Sequence, residues 1–183
     1  PYLSRGLGDV YKRQNIGICG LGTVGSGVLS VLQNNSDIIR EKSSCLIHVT
    51  HVATRNANHG CNVENIQFSN DIFEVARDSD IDLVVELIGG TSSALELVML
   101  AISNGKHVVT ANKALIAEHG TSILQAAYEA NVIVAFEASV AGGIPILKSI
   151  REGLVANKIN WLAGIINGTT NFILSEMSSK GRS

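Results

Sequence analysis

The sequence predicts an α/β fold in which helices cover both faces of a parallel β-sheet. Between residue 15 and residue 137, short apolar runs alternate with segments of helical period. Several of the runs, such as residues 83–85 and 132–134, are apolar at every position, which is typical of strands buried on both faces. The connections are short enough for right-handed crossovers, so the expected architecture is a doubly wound parallel sheet.

The individual elements follow from apolar periodicity and from turn residues. Ser93 and Glu96 have the spacing of a capping box, which predicts the start of a helix at that point. Residues 56–65 are rich in Asn and Gly and predict a loop. The predicted strands are residues 16–19, 46–53, 81–87, 107–110 and 132–136, with helices at 72–77 and 121–130. Two further helices have apolar faces formed by Val24, Val28, Val31 and Leu32, and by Leu95, Val98, Met99 and Ile102.

Two changes of rhythm divide the chain. Residues 1–14 show neither strand nor helix periodicity and are interpreted as a tail or as foreign sequence. Residues 15–137 form the α/β domain, and residues 138–183 are expected to be the incomplete start of an α+β domain. In this second part we expect a helix from Pro145 to about residue 153, a strand at 159–166 and a helix from about Thr169.

The composition excludes several classes of protein. Apolar residues make up 45% of the chain, charged residues 16% and aromatic residues 4%, with a net charge of −2, which argues against a nucleic-acid partner. The longest apolar run, residues 97–102, is far shorter than the roughly 20 residues of a membrane-spanning helix. The three cysteines form no Cys-x-x-Cys pair, which is typical of reduced thiols and predicts a cytoplasmic protein.

A glycine-rich turn follows the first predicted strand. Gly20, Gly22 and Gly25 fit the pattern Gly-x-Gly-x-x-Gly between an apolar strand and an amphipathic helix, with Thr23 and Val24 inside it. In a Rossmann-type fold the first glycine makes the turn, the second admits a pyrophosphate, and the third lets the helix pack on the strand. The turn therefore predicts a dinucleotide site, although a tight turn without a ligand remains an alternative.

The end of the second predicted strand bears on which dinucleotide binds. An NAD site usually has an acidic residue there to bind the ribose 2′-hydroxyl, whereas this chain has Thr54 and Arg55. The Arg55 guanidinium can bind a 2′-phosphate, which favours NADP(H) over NAD(H). An ordinary solvent-exposed loop arginine is the alternative.

Three further segments carry polar groups at sheet edges or helix starts. Thr91 follows the third predicted strand, on the edge where such sheets bind ligands, so it is a candidate cofactor contact. A simple helix-capping role is the alternative. Lys113 is expected in the first turn of a helix, where its charge opposes the helix dipole unless it faces an anion or a carbonyl oxygen. A solvent-exposed lysine is the alternative. The hydroxyls and amides at the start of the last predicted helix indicate a site for a substrate carboxylate or a phosphate. An ordinary helix cap is the alternative. The residues are Asn167, Gly168, Thr169 and Thr170.

Two kinds of chemistry find little support in the sequence. His59 and Cys61 share a loop without a second pair of ligands, which disfavours a metal site there. The segment after the fifth predicted strand has Ser139 and no cysteine, which argues against a thioester mechanism.

Five motifs, in this order, resemble those of homoserine dehydrogenases. The resemblance covers about residue 15 to about residue 177. The motifs are residues 20–25, 84–90, 108–113, 136–145 and 166–174.

The resemblance implies the reversible reduction of aspartate semialdehyde to homoserine with NADPH or NADH, on the route to threonine and methionine. It implies cofactor contacts at Gly22, Thr23, Val24, Thr91 and Lys113, with Lys113 as the catalytic candidate. It also implies a sodium ion, held mostly by backbone carbonyls, which suits a cation that prefers oxygen ligands. The implied sodium ligands are Glu137, Val140, Gly142 and Ile144.

One part of the family pattern is not matched. Family members continue into a segment with an acidic substrate-binding pair and a proton-donor lysine, and residues 179–183 do not resemble it. The resemblance therefore places the proton-donor lysine beyond Ser183. It implies a fragment that is inactive alone and a homodimer when full length. A dinucleotide-sensing module without catalysis and a different amino-acid dehydrogenase on the same scaffold remain alternatives.

Overall fold

The computed structural model describes residues 12–55, 63–164 and 168–181. Two compact units divide the chain, residues 1–140 and residues 141–183. In the first unit the strands are β1 Lys12–Cys19, β2 Cys45–Ala53, β3 Gln67–Ser69, β4 Leu83–Glu86, β5 His107–Thr110 and β6 Val134–Ala135. The helices are α1 Thr23–Asn34, α2 Ser36–Ser43, α3 Ile72–Arg77, α4 Ser92–Ser103 and α5 Lys113–Glu129, followed by a 3₁₀ turn at Glu137–Ser139.

The six strands form one parallel sheet in the order β3-β2-β1-β4-β5-β6. Strand order reverses beside β1, because β2 and β4 pair with opposite edges of it. This arrangement is the predicted doubly wound, Rossmann-type fold, and the α/β prediction is confirmed. In such a sheet, ligands bind at the carboxyl ends of the strands where the order reverses.

Buried apolar side chains cover both faces of the sheet. One cluster joins residues of α3, α4 and α5, such as Val75, Leu97 and Ile123, to strand residues. The other contains Leu29 of α1 together with Val52 and other strand residues. Neighbouring residues of a strand point to opposite faces, and both faces of this sheet are covered. Successive strand residues must therefore be apolar, as the sequence predicted.

The sheet is more extensive than the sequence predicted. β1 begins at Lys12 and pairs with β2 from Cys45 onward, so residues 12–14, assigned to the tail, are in a strand. Strand pairing uses backbone groups, which is why these polar residues gave no signal. The helix α2 and the three-residue strand β3 were also not predicted, since α2 has no fully buried residue and β3 is very short.

Several details of the predicted helices are wrong. In α1, Val24 and Val31 are exposed, and Gly25 and Leu29 are the buried positions, because Gly25 packs against the backbone of the preceding turn. The α4 helix begins at Ser92 after a Thr91 that already has helical dihedral angles, so Ser93 lies inside the helix and no capping box forms. Met99 lies at the exposed edge of that helix. The α5 helix begins at Lys113, eight residues before the predicted helical segment at 121–130.

The second unit is helical where it is described. Pro145 precedes α6, Ile146–Lys148, which continues as a π-helical turn over Ser149–Gly153. These bounds agree with the helix predicted from Pro145 to about residue 153. The helix α7, Gly168–Lys180, begins one residue before the expected start. The predicted strand at 159–166 is wrong over residues 159–164, which are irregular and exposed; among the described residues no strand pairs with them. Residues 165 and 166, and residues 56–62 of the predicted loop, lie outside the described residues.

Candidate functional site

A cleft of about 630 Å³ lies at the carboxyl ends of β1, β2 and β4, where strand order reverses. Four of the predicted site residues line this cleft, namely Gly20, Gly22, Arg55 and Thr91. Other lining residues include Leu21, Thr54, Asp71, Gly89 and Gly90. The sheet therefore brings together three predicted segments that are far apart in sequence.

The three positions of the turn differ in whether the fold requires glycine there. Gly20 has a φ of +100°, and a Cβ built on it would lie 2.6 Å from the carbonyl oxygen of Leu87. A Cβ on Gly25 would overlap the carbonyl oxygen of Gly20. A Cβ on Gly22 would meet no atom within 4 Å. The fold requires Gly20 and Gly25, whereas Gly22 faces open space on the cleft side.

The N-terminus of α1 faces this turn. Gly22 is the N-cap residue; no side chain caps the helix and no acidic residue lies in its first turn. Thr23 and Val24 of that turn are exposed. The first amides of a helix carry a partial positive charge, so this end can receive an anion.

Asp71, which was not predicted as a site residue, also lines the cleft. Its Oδ1 atom accepts a hydrogen bond from the Phe73 N–H at 2.9 Å and caps α3. Its Oδ2 atom lies 3.8 Å from Arg77. The sequence signal for this residue is an acidic N-cap directly before a short apolar helix.

Lys113 is the first residue of α5, as predicted, and its side chain is exposed. It is not among the residues that line the cleft. The preceding Asn112 caps α5 by accepting the Leu115 N–H at 3.1 Å, and its amide donates to the Gly90 carbonyl at 2.6 Å. This bond joins the loop that carries Thr91 to the loop that carries Lys113.

Glu86 is a fully buried carboxylate at the end of β4, and sequence reasoning did not single it out. It accepts hydrogen bonds from the Ile88 N–H at 3.0 Å and from the Thr110 hydroxyl at 2.5 Å. The available signal was a carboxylate inside an otherwise apolar strand, since buried carboxylates are rare unless they are bonded.

Cys19 ends β1 below the glycine turn and is fully buried. Burial, together with the nearby charges of Glu86 and Asp71, raises the pKa of the Cys19 thiol well above its usual range. The thiol therefore stays protonated and is a core residue, not a nucleophile.

The positions implied for sodium lie on both sides of the unit boundary. Glu137 is in the 3₁₀ turn, and its carbonyl accepts the Val140 N–H at 3.2 Å. Gly142 and Ile144 of the second unit are exposed.

The positions implied for the substrate and the proton donor are described only in part. Gly168, Thr169 and Thr170 form the first turn of α7, and Asn167 lies outside the described residues. Ser183 also lies outside them, since the described part of the chain ends at Gly181. The expectation that the family's proton-donor lysine lies beyond Ser183 therefore stays a prediction.

Among the described residues, no group of three or more His, Cys, Asp or Glu side chains could hold a metal ion. His59 and Cys61 lie outside the residues that the structure describes. Over the same described residues, none of the helices has the length and apolarity needed to cross a membrane.

Two family models match the chain. The model described as "Homoserine dehydrogenase, NAD binding domain" matches residues 20–137, and the model described as "Homoserine dehydrogenase" matches residues 145–183. The first match begins at the glycine turn and ends after β6. It therefore covers the sheet edge that forms the cleft.

Individual relatives give the same result. A homoserine dehydrogenase of Pseudomonas aeruginosa is 60% identical over 171 residues, which are 93% of this chain and 39% of the relative. The crystal structure of a homoserine dehydrogenase from Thiobacillus denitrificans is 53% identical with a TM-score of 0.86, over 93% of this chain and 40% of that one. A hyperthermophilic archaeal homoserine dehydrogenase in complex with NADPH is 26% identical with a TM-score of 0.77, over 93% and 58% of the two chains. The chain thus spans about two fifths of the length of the curated relatives.

Proposed function

The chain belongs to the homoserine dehydrogenase family, and from this premise we propose that it binds NADP(H) as part of an enzyme that interconverts L-homoserine and L-aspartate 4-semialdehyde. The observation that carries the proposal is the cleft beside β1, which combines an open glycine, an uncapped helix N-terminus and Arg55. A nicotinamide dinucleotide agrees with the matched domain type and with the NADPH complex of the archaeal relative.

The glycine turn fits the pyrophosphate of the cofactor. Gly22 leaves the space that a Cβ would fill, and the first amides of α1 offer hydrogen-bond donors with the favourable end of the helix dipole. In this proposal Gly20 and Gly25 shape the turn, while Gly22, Thr23 and Val24 contact the phosphates through their backbone.

Arg55 would select NADP(H) over NAD(H). It is exposed and lines the cleft after β2, where the adenosine ribose of a dinucleotide lies in this fold. A planar guanidinium can form two parallel hydrogen bonds to a phosphate. The neighbouring carboxylate of Asp71 is held by the cap of α3 and by Arg77, which leaves Arg55 as the group that meets a 2′-phosphate.

Thr91 and Lys113 would contact the nicotinamide half of the cofactor. Thr91 lines the cleft, and its side chain makes no cap bond at the start of α4. The Lys113 ammonium lies at the N-terminus of α5, where its charge opposes the helix dipole and has no structural advantage. When bound, the cofactor supplies or accepts the hydride, and these residues orient it and face the oxygen of the reacting carbonyl.

The family's sodium ion and substrate would bind at positions near and beyond the unit boundary. The proposed sodium ligands, Glu137, Val140, Gly142 and Ile144, offer only carbonyl and carboxylate oxygens, and this donor set suits a hard cation. The proposed substrate residues, Asn167, Gly168, Thr169 and Thr170, include the first turn of a helix, which suits the substrate carboxylate. In this proposal the proton donor is the family's lysine, which the resemblance places beyond Ser183.

The same premise extends to three finer properties. We propose that the 183-residue chain binds the cofactor but does not turn over homoserine, since it spans about two fifths of the length of its relatives. We further propose a cytoplasmic location and a homodimer for the longer protein, with no nucleic-acid partner.

The proposal is tested by titrating NADPH and NADH into the chain and following the fluorescence of the reduced nicotinamide. We expect saturable binding with tighter affinity for NADPH. Absence of saturable binding of either cofactor would contradict the proposed function for this chain.

A further inference from the structure

The buried carboxylate of Glu86 joins two loops at the cofactor edge of the sheet. Its Oε1 atom accepts the Ile88 N–H at 3.0 Å, within the loop that follows β4. Its Oε2 atom accepts the Thr110 hydroxyl at 2.5 Å, at the end of β5. Glu86 and Thr110 both have no solvent exposure. Burying a carboxylate costs free energy unless hydrogen bonds compensate for the lost solvation. The burial of Glu86 beside Thr110 therefore needs an explanation.

Thr110 extends the connection to the start of α5. Its Oγ1 atom accepts the Asn112 N–H at 3.0 Å while its hydroxyl hydrogen is donated to Glu86. Asn112 in turn accepts the Leu115 N–H at 3.1 Å and donates to the Gly90 carbonyl at 2.6 Å. These hydrogen bonds run from Glu86 through Thr110 and Asn112 to Gly90, and the backbone of residues 86–90 closes them into a ring.

The ring adds to the contacts of a loop whose start is also held by the bond from the Leu87 N–H to the Cys19 carbonyl at 2.8 Å. Gly89 and Gly90 both have a φ of +73°, and a Cβ on either would meet no atom within 4 Å. The bond of Glu86 to Ile88 secures the start of this loop, and the bond of Asn112 secures its end. Without these bonds the two glycines are free to adopt many other conformations.

We propose that Glu86 is a positioning residue for the cofactor: through Thr110 and Asn112 it sets the positions of Thr91 and Lys113. Thr91 directly follows Gly90, and Lys113 directly follows Asn112, so both are attached to members of the ring. The inference rests on the proposed function, in which Thr91 and Lys113 contact the dinucleotide. Glu86 itself is fully buried, so it would act on the cofactor only through its neighbours.

The chemistry of the ring suggests matched variants. In Glu86→Gln an NH₂ group replaces one of the two carboxylate oxygens, so the side chain no longer has an acceptor at both the Ile88 and the Thr110 positions. Thr110→Val keeps the side-chain shape but removes the hydroxyl, and Thr110→Ser keeps the hydroxyl. We expect Glu86→Gln and Thr110→Val to bind NADPH about five- to tenfold more weakly, and Thr110→Ser to recover most of the affinity. Circular dichroism and thermal unfolding identify the variants that remain folded at the titration temperature.

A double-mutant cycle separates positioning from general loss of stability. Lys113→Met should weaken NADPH binding in the parent chain and should have a smaller effect in the Thr110→Val background, because Lys113 is already displaced there. Additive effects on affinity, or NADPH affinity unchanged in Glu86→Gln, would overturn the inference.

A second measurement does not depend on cofactor binding. If the parent chain fails to bind NADPH, the proposed function fails, and amide hydrogen exchange of the cofactor-free chain still decides the inference. Glu86→Gln should speed exchange at the amides of Ile88 and Asn112, which donate hydrogen bonds within the ring, while leaving those of α3 unchanged. Exchange that is unchanged at both positions, or faster by the same factor throughout the chain, would overturn it.

Discussion

At the scale of single residues, the glycine turn shows how one motif combines structural and binding roles. Gly20 is required by its positive φ, and Gly25 by its contact with the Gly20 carbonyl. Neither reason involves a ligand. Gly22 has an ordinary φ of −71° and open space around it, so the fold alone does not require glycine there. The proposed pyrophosphate, approaching the backbone at Gly22, would account for the glycine there.

Alanine substitutions separate these two roles. Gly22→Ala should fold with nearly unchanged stability, because its Cβ meets no protein atom, but should weaken NADPH binding at least about tenfold by occupying the pyrophosphate position. Gly25→Ala should lower the free energy of unfolding by about 1–3 kcal/mol, because its Cβ overlaps the Gly20 carbonyl. Thermal unfolding and NADPH titration of both variants are the measurements. Parent-like NADPH affinity in Gly22→Ala would contradict the placement of the pyrophosphate.

Arg55 has a test of its own. Arg55→Glu should reduce NADPH affinity about tenfold or more and leave NADH affinity nearly unchanged, because only NADPH carries the 2′-phosphate. Lys42→Glu, an exposed charge reversal on α2, is the control for the change in net charge. If the two variants shift the ratio of NADPH to NADH affinity equally, Arg55 does not select the cofactor.

Lys113 should matter to the reaction and not to folding. In a protein extended to the full length of its relatives, Lys113→Ala should have parent-like or slightly higher thermal stability, because a positive charge at a helix N-terminus is unfavourable. Its kcat/KM should fall at least about 100-fold. Lys42→Ala serves as the exposed-lysine control, and full turnover by Lys113→Ala would show that the lysine has no catalytic role.

At the scale of elements, two short segments were predicted most accurately. The strand at 107–110 and the helix at 72–77 have the predicted bounds. α2 and β3 were missed because their sequences carry no buried apolar pattern, and the buried face of α1 is set by the Gly25 contact and not by its valines. The ring around Glu86 was also missed, since it depends on strand register, which brings Glu86 opposite Thr110.

A second link between elements is electrostatic. Asp78, directly after α3, accepts the Asp80 N–H and lies 3.0 Å from Nδ1 of buried His51 in β2. The Lys106 ammonium, just before β5, donates to the backbone carbonyls of Asp78 and Ile81. Burial alone would raise the pKa of Asp78, but these bonds and the charges of His51 and Lys106 lower it below the ordinary value.

The lowered pKa of Asp78 predicts a pH dependence of stability. A carboxylate whose pKa is depressed on folding stabilises the protein above its unfolded pKa of about 3.9, and this stabilisation is lost as the pH falls through the folded value. Asp78→Asn should therefore be less stable than the parent at pH 7, and the difference should shrink below about pH 4. Urea unfolding from pH 3 to pH 7 measures it, with the exposed Asp37→Asn as control. A difference that is independent of pH would contradict this role.

At the scale of the whole molecule, most of the candidate cofactor site follows from the sequence. Turn glycines, strand ends and helix starts are local signals, and a parallel sheet necessarily brings strand ends to one edge. The positions proposed for sodium and substrate depend on residues 137–144 and 167–170, which have only local signals in this chain. Their roles remain predictions that rest on the family.

The central proposal is that these 183 residues bind NADP(H) but do not by themselves oxidise homoserine. One sample serves for the decisive measurement: an NADPH titration beside an assay of NADP-dependent homoserine oxidation at high protein concentration. We predict saturable NADPH binding, abolished or strongly weakened in Gly22→Ala, with no oxidation of homoserine above background. A chain that binds no cofactor, or one that oxidises homoserine at a robust rate, would contradict the account.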